Sequence, residues 1–165
     1  MFVPVLLTVV GAIIIVAAVY DAATLTIPNW LSGVLFGLFP VVVMATGLSL
    51  GDAGVHAAVG LGALIAGMVL FAFQWIGGGD AKFFAAVSLY MGMSSVGVYL
   101  VTVVVAGGIL AFILLGARWV AKFGVPMDWF LRFTRGGSVI PYGIAIAFGG
   151  LAVLPETQLF ATSFS

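Results

Sequence analysis

The chain is built from long apolar runs separated by short polar breaks. Phe2 to Tyr20 is an uncharged run long enough to cross a hydrocarbon core of about 30 Å at about 1.5 Å per residue. It has no basic n-region and is longer than a signal-peptide h-region, so it predicts a retained first span and not a cleaved leader. Asp21 follows at once. Within residues 22–29, Pro28 ends any helix before it, and Thr26 is expected to cap a new helix with Pro28 in its first turn. The second span, about Trp30 to Leu48, carries Gly33 and Gly37 at the Gly-x-x-x-Gly spacing, which predicts close helix packing. Gly51-Asp52-Ala53-Gly54 is a polar turn, where Asp52 is expected to cap the third span, roughly Val55 to Ile76. His56 is read as a boundary residue without chemical role.

The next break, Gly77-Gly78-Gly79-Asp80-Ala81-Lys82, sets a carboxylate behind three residues without side chains. Glycine takes conformations closed to other residues and admits a second backbone closely, which predicts that a substrate segment reaches Asp80. Taken alone, the string also fits a plain structural role in which Asp80 caps the next helix. Ala81 to Met93 covers only about 20 Å, short for a crossing, so either the bilayer thins here or Asp80 lies below the headgroups. Val96 to Ala117 is the fifth span. Arg118 to Gly137 interleaves five charged residues with Trp119, Phe123, Trp129, Phe130 and Phe133. That mixture predicts an amphipathic loop over about 118–138, lying in the membrane interface. Ile140-Pro141-Tyr142-Gly143 opens the sixth span, which ends near Leu154. The predicted architecture is all-α, one integral membrane domain over residues 1–165 with about six transmembrane helices in a lipid bilayer.

Composition narrows the chemistry. Hydrophobic residues make up 64% of the 165 and charged residues 6%, whereas a water-soluble surface needs about a quarter charged. The net charge is zero and the five basic residues are scattered, so no nucleic-acid partner is expected. The absence of cysteine excludes disulfides, thiolate catalysis and Cys-ligated zinc. A single histidine, His56, argues against a His-Glu-x-x-His zinc site or a nucleophile activated and oriented by two histidines. No metal and no cofactor are expected. Hydrolytic chemistry would have to come from Asp21, Asp52, Asp80, Asp128 and Glu156.

Six alternating spans put the breaks at Asp21, at Gly77 to Lys82 and at Arg118 to Gly137 on one side. Lys82, Arg118, Lys122, Arg132 and Arg135, all the basic residues of the chain, fall there too. Since cytoplasmic loops retain Lys and Arg, that side is expected to be the cytoplasm, with both termini outside. Two crossings separate Asp21 from Asp80, so they share a face. Asp52 and Glu156 lie on the other, and Asp128 is expected to be solvated or salt-bridged in the amphipathic loop.

Asp21 with Ile27-Pro28-Asn29-Trp30, then Gly77-Gly78-Gly79-Asp80-Ala81-Lys82, then Ile140-Pro141-Tyr142-Gly143 together resemble the type IV prepilin peptidases, intramembrane aspartic proteases with a Gly-x-Gly-Asp motif. The likeness is to the small CpaA/TadV-type members that serve Flp pili. It implies a multi-pass protein of the bacterial inner membrane whose active site faces the cytoplasm. It also implies an endopeptidase that cuts prepilins between a basic leader and an apolar helix. Carried over by position, the catalytic pair falls on Asp21 and Asp80. Gly77, Gly78, Gly79, Lys82, Pro28, Asn29, Pro141, Tyr142 and Gly143 are implied as substrate-binding or loop-shaping. Larger relatives also methylate the new N-terminus through a cysteine-bearing domain; this chain has neither cysteine nor room for it, so methylation is not implied. Members often carry basic residues before the Ile-Pro-Asn, where this chain has Ala22, Ala23, Thr24, Leu25 and Thr26.

Two aspartates sharing one proton can act as base and acid on water and an amide, because close like charges resist simultaneous ionisation. Helix ends suggest the roles: Asp80 opens a helix, whose positive end favours the anion, and Asp21 closes one. Asp80 is then the expected water-activating carboxylate and Asp21 the holder of the proton. Lys82 is expected to anchor its loop. The rival reading, a small transporter or channel component relaying protons or ions through the same acids, expects the acids within the spans and not at their ends.

Overall fold

The computed structural model describes residues 2–121 and 140–161. Its elements are α1 (Phe2–Thr24), α2 (Asn29–Thr46), α3 (Leu50–Ala72), α4 (Gly78–Ala121) and α5 (Tyr142–Val153). A 3-10 turn (Leu154–Glu156) and a short α6 (Gln158–Ala161) follow. The fold is the all-α bundle expected, and α1, α2, α3 and α4 are each long and apolar enough to cross a membrane.

α4 is not one rod. Gly92 sits inside it at φ 62°, ψ −177°, a combination essentially closed to residues with a Cβ. Phe84 and Tyr99 stack with ring centroids 5.7 Å apart, although a straight helix would separate residues fifteen apart by about 22 Å. The chain therefore doubles back at Gly92 into two antiparallel arms, residues 78–91 and 93–121. These are the short fourth and long fifth passes read from the sequence. The shortness of the first arm has a packing cause. Ala81, Phe83 and every residue from Ala85 to Met91 are buried, so this arm is sheathed by other helices and need not match the thickness of lipid.

Side-chain pairings fix the directions. Asn29 meets Lys82 and Leu35 meets Tyr90, so α2 runs parallel to the first arm. Gly60 abuts Leu89 and Gly67 abuts Ala81, so α3 runs antiparallel to it. Gly107 lies by Ala145 and Gly149 by Val103, while Gly11 lies by Leu151 and Gly143 by Asp21; α5 thus runs antiparallel to both the second arm and α1. Six helical passes alternate, and the α1–α2 and α3–α4 turns share one end of the bundle with the start of α5.

At the opposite end His56 is buried and its Nδ1 lies 2.6 Å from the Leu89 carbonyl. In an unbroken helix that oxygen would accept from residue 93; the break at Gly92 releases it and the imidazole takes it up. His56 is therefore a clasp on the turn of α4, which its reading as an idle boundary residue missed.

Local expectations need correction at several ends. α1 continues through Asp21 to Thr24 and stops where Leu25 turns to φ 56°. Pro28 itself is the N-cap of α2, while Thr26 pairs with the Thr24 hydroxyl and caps nothing. Ser49, not Asp52, caps α3, accepting from the Asp52 amide as its own hydroxyl donates to the Asp52 carboxylate; Asp52 orients the capping hydroxyl from the first turn. α3 ends at Ala72, four residues before the expected Ile76. Gly33 and Gly37 have nothing within 4 Å of an added Cβ, so their spacing serves no helix contact among the described residues. The second arm of α4 runs on through Arg118 to Ala121. The remainder of the expected interfacial loop, residues 122–139 with Asp128, lies outside the described residues.

Candidate functional site

The two turns that face each other at one end of the bundle bring the predicted acids together. Asp21 occupies the last turn of α1, where its carbonyl accepts from the Leu25 amide at 2.8 Å. Its side chain is only 2% exposed. Asp80 lies half-buried in the first turn of α4, and the two carboxylates are within electrostatic range of each other. Asp80 Oδ2 accepts from the Gly77 amide at 3.2 Å. Gly77 stands three residues ahead, so Asp80 supplies the carboxylate arm of a capping box. It is therefore not the N-cap that the sequence suggested but a third-position support of the helix start, and it remains half-open to a neighbouring cleft.

That cleft, of ≈ 300 Å³, is lined by Leu25, Thr26, Ile27 and Asn29 from one turn and by Gly77, Gly78, Gly79 and Asp80 from the other. The three glycines are not equivalent. A Cβ on Gly79 would lie 2.8 Å from the Ile27 carbonyl oxygen, which no real side chain tolerates, and one on Gly77 would lie 3.0 Å from Asp80 Oδ2. On Gly78 it would meet only the Phe71 ring at 3.4 Å. Gly79 is thus the point where the two turns touch backbone to backbone. Lys82 Nζ donates to Asn29 Oδ1 at 2.9 Å, tying the start of α4 to the start of α2 beside the same cleft.

Asp21 does not line the cleft. It lies against the beginning of α5, where a Cβ on Gly143 would sit 2.7 Å from Asp21 Oδ2 and 2.6 Å from Ile27 Cδ1. The backbone amides of Gly143 and Ile144 are donors on this side. None closes a full hydrogen bond onto Oδ2, which is buried without a partner. Pro141 is buried and is the N-cap of α5. Tyr142 turns away and lines an apolar groove of ≈ 460 Å³ with Phe84, Gly107 and Ile146. Pro28 starts α2 beside the cleft without lining it.

Of the residues singled out in the sequence, Asp80, Asn29, Gly77, Gly78, Gly79 and Lys82 gather at the cleft, and Asp21, Pro141 and Gly143 lie directly behind. Ile27 is the residue that reading missed: its carbonyl meets Gly79, its side chain meets Gly143, and it is buried between the acids' two turns. Nothing in its hydropathy marks it. The signal was its place just before Pro28, which holds it extended. Among the described residues no group of His, Asp and Glu side chains could hold a metal ion.

Residues 8–116 match the family model of the type IV leader peptidase family. The chain belongs to that family. No curated protein and no solved structure matches it. The match takes in Asp21, Ile27-Pro28-Asn29, Gly77-Gly78-Gly79-Asp80 and Lys82, and it ends before α5. This leader peptidase therefore carries the whole of its cleft within the family region. The wall behind Asp21 comes from outside it.

Proposed function

We propose that this leader peptidase is an intramembrane aspartic endopeptidase that removes the leader of type IV, Flp-type prepilins at the cytoplasmic face of the bacterial inner membrane. The observation that carries the reading is that Asp21 and Asp80 lie within electrostatic range of each other at one end of the bundle, Asp80 opening on the cleft and Asp21 behind it. They are the only acids among the described residues at that end. One carboxylate takes a proton from water while the other gives one to the scissile amide, and the pair shares a single proton between them. The glycine turn leaves the rim of the cleft free of side chains beside Asp80, which suits an extended substrate backbone. A substrate with a basic leader and an apolar helix fits the placement: the helix lies among apolar helices, and the bond to be cut lies at their wet end. The cytoplasmic assignment is our reading of Lys82 and Arg118, the basic residues among the described ones, which both lie at that end, since cytoplasmic loops retain Lys and Arg.

Roles within the pair are not settled by α1 alone, because Asp21 also faces the start of α5. Both acids therefore stand at a helix N-terminus, and the argument that gave the anion to Asp80 loses its asymmetry.

Co-expression of a tagged Flp-type prepilin with wild type, Asp21→Asn and Asp80→Asn tests the reading on a gel. Wild type converts the precursor to the shorter form, and each variant leaves it full-length. Conversion by either variant at the wild-type rate removes that aspartate from the mechanism, and no conversion by wild type removes the proposed substrate class.

A further inference from the structure

The α5 N-terminus is built around a missing side chain. Of the amides that open this helix, Tyr142 N–H donates to the Ile140 carbonyl at 2.8 Å and Ile144 N–H to the Pro141 carbonyl at 3.2 Å. The Gly143 N–H takes no part in these turns, as expected of a first-turn donor without an intrahelical acceptor. Opposite it lies the one carboxyl oxygen among the described residues that is buried without a partner, Asp21 Oδ2. A Cβ at position 143 would come within 2.7 Å of that oxygen and 2.9 Å of the carboxyl carbon. Any residue but glycine therefore displaces the Asp21 side chain. A buried carboxyl oxygen is costly without a donor, and the positive end of a twelve-residue helix is a suitable place for one.

We propose that the N-terminus of α5 is a third wall of the reaction centre, and that Gly143 is a positioning residue whose backbone N–H and absent side chain hold the Asp21 carboxyl in register with Asp80. Its catalytic sense rests on Asp21 being one of the reacting pair; the contact itself does not. This wall comes from the chain's last long helix, beyond the matched residues 8–116.

The contact can be read without activity. Of the four tyrosines only Tyr142 precedes a glycine, so full-length protein labelled with carbonyl-13C tyrosine and 15N glycine gives a single carbonyl–nitrogen correlation, that of the Gly143 amide. In detergent micelles this peak moves in Asp21→Asn and stays in place in Asp52→Asn, at the far end of the bundle. An unmoved peak in Asp21→Asn overturns the proposal. The functional arm uses Gly143→Ala on a prepilin substrate: kcat falls about 100-fold, the scale set by misplacing a reacting group by about 1 Å, while KM stays within about twofold. Gly107→Ala, whose added methyl meets Ala145 at an ordinary 3.7 Å, keeps the wild-type rate. Ile27→Ala placed in Gly143→Ala separates the two clashes at this position. Persistent loss of kcat points to Asp21, and recovery of the wild-type rate shows that Gly143 only accommodates Ile27 and overturns the proposal. If wild type cleaves no prepilin, the peptidase reading fails while the amide correlation still reports on the contact.

Discussion

Three glycines in a row do three different things here. Gly79 lets the α3–α4 turn rest on the Ile27 carbonyl, Gly77 leaves space for the Asp80 carboxylate, and Gly78 faces only an aromatic ring. Alanine substitutions should therefore rank. Gly79→Ala forces two backbones apart and is expected to cost about 1–3 kcal/mol in stability, as overpacking does, and to abolish most cleavage. Gly77→Ala is expected to lower cleavage with little change in stability, because it presses on Asp80 alone. Gly78→Ala is expected to be close to wild type in both. Thermal unfolding in detergent beside prepilin cleavage reads the series, and equal effects at all three positions would contradict the geometry. At this scale both acids were legible before any coordinates, because counting crossings puts them on one face. The roles of the single glycines were not, since which of them touches backbone depends on a turn 50 residues away in the chain.

At the level of elements, α4 is where the sequence is both most and least informative. The apolar pattern correctly separated a short run from a long one, with the break near Met93. What it did not disclose is that the short run is deeply enclosed, buried from Ala85 to Met91 without a gap, because hydropathy is the same for a helix in lipid and a helix in protein. His56 was opaque for a related reason: its partner is a carbonyl 33 residues on, freed by the break at Gly92, and neither residue carries a signal by itself. Two variants test the clasp. Gly92→Ala puts a Cβ 2.6 Å from His56 Nε2 at a backbone conformation closed to alanine, and is expected to destabilise by more than the strain of about 1–3 kcal/mol alone. His56→Ala leaves the Leu89 carbonyl buried without its donor, a loss of about 1–3 kcal/mol. Both are read as falls in apparent melting temperature. Neither residue lies near the acids, so the folded fraction should cleave normally; a His56→Ala protein that is fully folded yet inactive would refute a purely structural clasp.

For the molecule as a whole, the alternation of passes makes a statement about sidedness. The chain has no cysteine, so single cysteines can be introduced without background. Thr26→Cys, on the rim of the cleft, and Leu50→Cys, at the exposed start of α3, are expected to react with a membrane-impermeant maleimide from opposite sides, Thr26→Cys from the cytoplasm. Labelling of both from the same side would break the topology on which the pairing of Asp21 and Asp80 rests.

The enclosure of the first arm of α4 reaches further than its packing. A helix whose neighbours are other helices along most of its length takes its height from them, and only the outer ring of the bundle feels how thick the surrounding lipid is. Asp80 rides on that inner post. The height of that carboxylate is thus gauged from inside the protein, and lengthening or shortening the acyl chains around it should tilt the outer helices before it lifts or sinks Asp80.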